Sequence, residues 1–152
     1  MDTLISLSEY LAAKRGVIDP AIEGFLPDVA QEPRSIHACM RYSALNGKRL
    51  RPTLTLAVAE MLGCSAEKAL PTGVAIEFIH IHSLILDDLP CMDNDDFRRG
   101  RPACHKLFGE SVALLASDAI LNLAIAILGA NYRLAAIRPE TALDIIREVG
   151  EA

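Results

Sequence analysis

The sequence predicts an all-α fold, and three observations carry that prediction. Apolar residues recur at helical spacing, proline and glycine fall between the apolar segments, and no Val/Ile/Thr alternation of strand length lies between turn signals. There is no internal repeat. At 152 residues and 51% hydrophobic content, the chain is long and apolar enough for one compact domain with a buried core.

The elements follow from this punctuation. Thr3 to Arg15 reads as a helix, with Asp2 as N-cap and Gly16 just past its end. Asp19 to Pro27 reads as a turn-rich connection with room for a short helical piece. Pro33 to Leu45 forms a second helix, with Ile36, Cys39, Met40 and Leu45 on its apolar side and Asn46-Gly47 as its stop. Pro52 starts a third, because a missing N–H costs nothing in a first turn, and Gly63 ends it. Ser65 caps a short turn before Pro71, and a long apolar helix then runs from Thr72 to about Leu89. Pro102 opens a short helix to Phe108, Gly109 breaks it, and an apolar helix follows from Ser111 to Ala130. Pro139 begins the last helix, Glu140 to Glu151. These helices are apolar around more of their circumference than a small bundle needs, so the chain is expected to pack against further protein.

Charge and cysteine usage narrow the function. With 15 Lys+Arg against 20 Asp+Glu the net charge is −5, which argues against a general nucleic-acid binder. Any anion site must then be a local cluster of Lys and Arg. The four cysteines, Cys39, Cys64, Cys91 and Cys104, form no CxxC and no zinc spacing, and are expected in the core as small apolar residues. No basic-then-apolar leader opens the chain, so a reduced, cytoplasmic setting is the simplest expectation. Ser111 to Ala130 is long enough to cross a bilayer. Asp118 near its middle would cost about 2.5–3.5 kcal/mol there, so a buried helix is expected instead of a membrane span.

The chemistry concentrates at one helix end. Asp87, Asp88, Asp93, Asp95 and Asp96 fall within ten residues, at the C-terminus of an apolar helix, where the dipole and mutual repulsion both disfavour them. Such a cluster of oxygen donors suits a hard cation such as Mg²⁺, above all one that also holds substrate phosphates. On an unbroken helix Asp87 and Asp93, six residues and about 600° apart, would face different ways. Pro90 cannot continue the helix, and a loop there can return Asp93 beside Asp87. Two basic runs accompany the acids: Lys48-Arg49-Leu50-Arg51 at a helix start, and Arg98-Arg99-Gly100-Arg101. Guanidinium forks, an ammonium and free helical N–H groups match phosphate oxygens, so acids beside bases read as metal plus diphosphate. His80 stands seven residues before Asp87, about 20° short of two turns, and so shares its stripe, whereas His82 points roughly the other way. Neither a hydrolase triad nor a Gly-rich phosphate loop is present.

These residues resemble a known family. Gly47-Lys48-Arg49-Leu50-Arg51-Pro52, Ile79-His80, and the run from Asp87-Asp88-Leu89-Pro90-Cys91-Met92-Asp93 through Phe97-Arg98-Arg99-Gly100 resemble the short-chain trans-prenyl diphosphate synthases, with farnesyl and geranylgeranyl diphosphate synthases nearest. The likeness continues through Pro102, His105, Phe108-Gly109-Glu110 and Asp118-Ala119. It implies an isoprenoid-synthase helical bundle, with residues 1–152 as the N-terminal part of a single polyprenyl synthetase domain. It also implies Mg²⁺-dependent condensation of isopentenyl diphosphate with an allylic diphosphate (dimethylallyl or geranyl), by ionisation, C–C bond formation and proton loss, in a homodimer.

Carried over residue by residue, the resemblance makes Asp87, Asp88 and Asp93 the first Asp-rich motif and gives the allylic diphosphate to Arg98. Lys48, Arg51, His80 and Arg99 would bind the diphosphate of isopentenyl diphosphate. His82 and Ser83 occupy the positions that set product length, and the intermediate size of imidazole favours farnesyl slightly. Leu86 and Ser117 stand where the family usually has His and Gly.

Nothing after Asp96 supplies the family's second acidic cluster; Asp144 and Glu148 read as an exposed helix face. Residues 1–152 are therefore expected to be a fragment of a synthase, inactive alone. The alternative is a truncated, non-catalytic homologue that binds diphosphate or partners a full-length synthase.

Overall fold

The computed structural model describes residues 6–152, so the expected Asp2 cap lies outside the described residues. Seven helices and one short hairpin make up that span: α1 (Leu7–Phe25), α2 (Arg34–Ala44), α3 (Leu50–Met61), α4 (Ala66–Asp87), β1 (Phe97–Arg98), β2 (Arg101–Pro102), α5 (Cys104–Phe108), α6 (Glu110–Leu134) and α7 (Pro139–Glu151). The most extensive contact is between α4 and α6, with α3 packed on α4, α2 and α7 on α6, and α1 against α3 and α4. Phe78, Val74 and Ala75 of α4 and Ala116, Ile120 and Ala124 of α6 are fully buried there. Both helices are long and apolar enough to cross a membrane by length and composition alone. In this fold each contributes a buried face to the shared core, while Asp118 and Asn122 of α6 are exposed.

Several elements differ from expectation. α5 starts at Cys104 and not Pro102, and α6 runs on to Leu134, but the three larger changes are in α1, α4 and the hairpin. α1 begins at Leu7 under a capping box, in which Ser6 Oγ accepts from Glu9 N at 3.2 Å and Glu9 Oε2 accepts from Ser6 N at 2.8 Å. It then runs through Gly16 and Pro20 to Phe25, so the expected connection at Asp19–Pro27 is mostly helix. Interior Pro and Gly cost about 3 and 1 kcal/mol. Ile18 and Ile22, one turn apart and both fully buried, recover about 1.5–3 kcal/mol each. Packing thus overrides the local breakers. The same holds for α4, which starts at Ala66 and carries a buried Pro71 inside it.

The third difference is strand structure where none is expected. Phe97 pairs with Pro102 and Arg98 with Arg101, across a turn of Arg99 (φ 55°) and Gly100 (φ 77°). Two successive positive φ values make a two-residue primed turn, the geometry that matches strand twist. The strands are only two residues long, too short for any alternation to show. Two of the cysteines also depart from expectation: Cys39 and Cys104 are buried, but Cys64 and Cys91 are exposed and so are not core residues.

Candidate functional site

α4 carries the site toward its C-terminal end. It is one unbroken helix to Asp87, so His80 and Asp87 do share a stripe, and both are half-buried. Past Asp87 the chain folds back on itself. Leu89 N donates to Leu86 O, Met92 N and Asn94 N both donate to Leu89 O, and Asp93 N donates to Asp87 O at 2.9 Å. This loop, completed by Asn94 at φ 53°, returns the Asp93 backbone to Asp87 as Pro90 suggested.

The three acids have different surroundings. Asp87 is half-buried and Asp93 exposed, whereas Asp88 is 4% exposed and accepts from Arg98, through Nε at 2.9 Å and through Nη2. Arg98 also reaches Asp95 at 3.3 Å. The Asp88 carboxylate raises the Arg98 pKa above its ordinary value, through the hydrogen bond first and charge attraction second. No group of three acidic, His or Cys side chains poised around a cation occurs among the described residues. Mg²⁺ ordinarily takes one or two carboxylates and completes its shell with water and substrate phosphates. The half-buried Asp87 and the exposed Asp93 offer carboxylates only, which suits such a shared cation and not a closed protein cage.

The hairpin separates the two adjacent arginines. Arg98 lies on β1 and turns to Asp88, while Arg99, in the turn, donates through Nη1 to the Asn46 carbonyl between α2 and α3. That contact joins the two basic runs across about fifty residues of sequence. Lys48 and Arg51 are exposed on the same loop and the first turn of α3, and Arg49 is its left-handed N-cap at φ 57°. The Arg99 pKa is lowered by burial first; Glu77 opposes this, while Arg49, Arg98 and Arg51 add to it. Burial, then Arg51, holds the His80 imidazole below its ordinary pKa, with Glu77 opposing. Arg51, His80 and Arg99 thus lie within charge range of one another, and Lys48 stands three residues before Arg51 on the exposed loop.

The residues at the expected product-length positions part company. His82 is tied to α6, where its Nδ1 lies 2.7 Å from Ser117 Oγ and Ser117 Oγ donates back to the His82 carbonyl at 3.2 Å. Ser83 is exposed and donates to the His80 carbonyl at 2.8 Å. A small cleft opens between α2, α4 and the hairpin, lined by Ile81, Ile85 and Asp88 with Arg98, Arg99 and Arg101 among the polar groups. His80, Ser83 and Asp87 belong to the adjoining stripe of α4 and do not line it.

Sequence reasoning missed Glu77 and Asp19. Arg49 is 2% exposed; its Nε donates to Asp19 Oδ1 at 2.6 Å and its Nη1 to Glu77 Oε1 at 3.3 Å, with Glu77 also 2% exposed. One signal was available: Glu77 is a lone acid in the apolar run of α4, one turn before His80.

Comparison with known proteins gives a consistent result. The Polyprenyl synthetase family profile matches residues 33–151. The heterodimeric geranylgeranyl pyrophosphate synthase large subunit 1 of Arabidopsis thaliana is 45% identical over 143 residues, covering 93% of this chain and 37% of that protein. A geranylgeranyl pyrophosphate synthase of Catharanthus roseus is 44% identical over 143 residues, covering 93% and 38%. Among solved structures, an FPP/GFPP synthase of Zymomonas mobilis superposes with a TM-score of 0.88 at 39% identity, covering 95% of this chain and 51% of that one. The chain thus spans well under half the length of those two relatives and about half of the solved chain.

Proposed function

Because the chain belongs to the polyprenyl synthetase family, we propose that it forms the diphosphate-binding portion of a prenyltransferase that condenses isopentenyl diphosphate with an allylic diphosphate (dimethylallyl or geranyl) to farnesyl or geranylgeranyl diphosphate. The observation that carries this reading is the Arg99–Asn46 hydrogen bond. It ties the turn that carries Arg99 to the loop before Lys48 and Arg51, and both Arg51 and Arg99 act on the charge of His80.

In this reading Lys48, Arg51, Arg99 and His80 take the diphosphate of isopentenyl diphosphate, the arginines by forked hydrogen bonds and Lys48 as a point charge. Arg98, aimed by Asp88, takes the allylic diphosphate. Asp87 and Asp93 hold Mg²⁺, which when bound neutralises charge on the departing diphosphate. Asp88 serves the site through Arg98. The apolar stretch of α4 excludes water from the carbon centre. His82 and Ser83 remain the candidate product-length positions, with His82 oriented by Ser117. A homodimer and a cytoplasmic setting belong to the same proposal, and the four free cysteines suit a reducing compartment.

Residues 1–152 alone are expected to bind diphosphate and to turn over little. The acids after Asp96 are dispersed and exposed: Glu110 and Asp118 lie on α6, and on α7 Asp144 and Glu148 are ion-paired with Arg147. Exposed Leu54, Val58 and Met61 on α3 and Leu114 and Leu115 on α6 favour a second reading. In it, the chain binds diphosphate and pairs with a longer synthase. Titration with isopentenyl diphosphate tests the shared core of both: Arg51→Ala should weaken binding tenfold or more, and unchanged affinity would sink the assignment. Radiolabelled product assays, with and without a full-length synthase, separate the two readings.

A further inference from the structure

We infer that Glu77 is a positioning residue, a buried counter-charge that holds the guanidiniums of Arg49 and Arg99 together around the Gly47 backbone and so sets the Lys48–Arg51 loop for an incoming diphosphate. This rests on the reading of that loop as a diphosphate site.

The geometry converges on Gly47. A Cβ built on this buried glycine would lie 2.6 Å from Arg49 Nη1, 2.7 Å from Arg99 Nη1 and 3.1 Å from Glu77 Oε1. Two guanidiniums and one carboxylate therefore occupy the space that any other residue would need. Arg49 cannot swing clear, because its side chain is 1% exposed. Its second partner, Asp19, sits on α1 and is 38% exposed, so Glu77 is the one buried acid paired with it among the described residues.

Without Glu77, Arg49 keeps Asp19 at Nε, but its buried Nη1 end loses its acid and must find water or move. Here the group that must move is the left-handed cap of α3. Lys48 and Arg51 flank that cap and would move with it. Glu77 also sits one turn before His80 and opposes the lowering effect of Arg51 and Arg99 upon it. A carboxylate beneath an anion site looks unfavourable on charge alone. It makes sense as the group that keeps like-charged arginines assembled before the anion arrives.

The sign of the effect separates this role from simple electrostatics. Titrate inorganic pyrophosphate into the 152-residue chain in metal-free buffer, where the acidic loop contributes no bridging cation. If Glu77 acted only through its charge, Glu77→Gln would tighten pyrophosphate binding. The positioning role requires a loss of tenfold or more with the far-ultraviolet circular dichroism unchanged. Glu77→Asp, which restores the charge but not the shape, should recover part of that loss. Equal or tighter binding by Glu77→Gln, or no recovery with Glu77→Asp, would overturn the inference. Should Glu77→Gln fail to fold, the Arg49→Met/Glu77→Gln double variant removes both charges; wild-type affinity in it would overturn the inference equally. Arg51→Ala isolates the underlying reading. If that variant binds pyrophosphate like wild type, the diphosphate assignment itself fails, a result distinct from one in which only Glu77 proves dispensable.

Discussion

Replacing Asp88 by Ala should cost stability that replacing Asp87 does not, although the two are adjacent and chemically identical. Asp88 is 4% exposed and accepts two hydrogen bonds from Arg98 on one carboxylate oxygen. A hydrogen bond to a charged group contributes about 1.5–3 kcal/mol. The larger penalty of about 3–5 kcal/mol, for a partner left alone in the interior, does not apply. Arg98 is 34% exposed and keeps Asp95 within 3.3 Å, so it can turn to water. About 2 kcal/mol is the expected loss. With a urea m-value of about 2 kcal/mol/M, the midpoint should fall by about 1 M. The Asp87 carboxylate has no hydrogen-bond or ion-pair partner among the described residues and sits at the negative end of α4. Its removal should shift stability by no more than about 0.5 kcal/mol. Equal midpoint shifts for the two variants would refute the division of labour between the paired aspartates.

Three further outcomes are expected. Ser117→Ala should lower stability by about 1 kcal/mol, read as a urea midpoint, since His82 keeps only the weaker contact to the Ser117 carbonyl at 3.2 Å. His80 has a lowered pKa in the folded chain, so below pH 6.5 the unfolded chain takes up the proton first. Stability should therefore fall as pH drops from 6.5 through the folded value, and His80→Gln should flatten that part of the melting-temperature profile. Maleimide labelling of the native chain should modify Cys64 and Cys91 quickly and spare Cys39, which is fully buried and whose thiol is pushed up chiefly by its hydrogen bond to Cys104.

Much of this was legible in the residues. The helix order, the apolar α4 ending in carboxylates and the return of the Asp93 backbone after Pro90 all followed from spacing and from the clash of the proline ring with the preceding turn. Two kinds of feature were not legible. Pro20 and Pro71 look like breakers locally, and only the burial of Ile18, Ile22 and the face around Val74 keeps those helices continuous. The hairpin turn uses Arg99 where Asn or Asp would have announced it. Without that turn, Arg98 and Arg99 read as one basic run, and nothing shows that one serves Asp88 and the other Asn46. Glu77 illustrates a third limit: its role depends on Asp19 and Arg49, far away in sequence, and on a glycine whose importance is the space it leaves empty.

The most direct test of a cation-assisted diphosphate site is a calorimetric titration of inorganic pyrophosphate into residues 1–152, with and without Mg²⁺. The expected result is measurable binding in metal-free buffer and tenfold or greater tightening with Mg²⁺, a gain lost in Asp87→Ala and kept in Asp144→Ala. Absence of binding, or an equal Mg²⁺ effect in both variants, would contradict the assignment of the acidic loop.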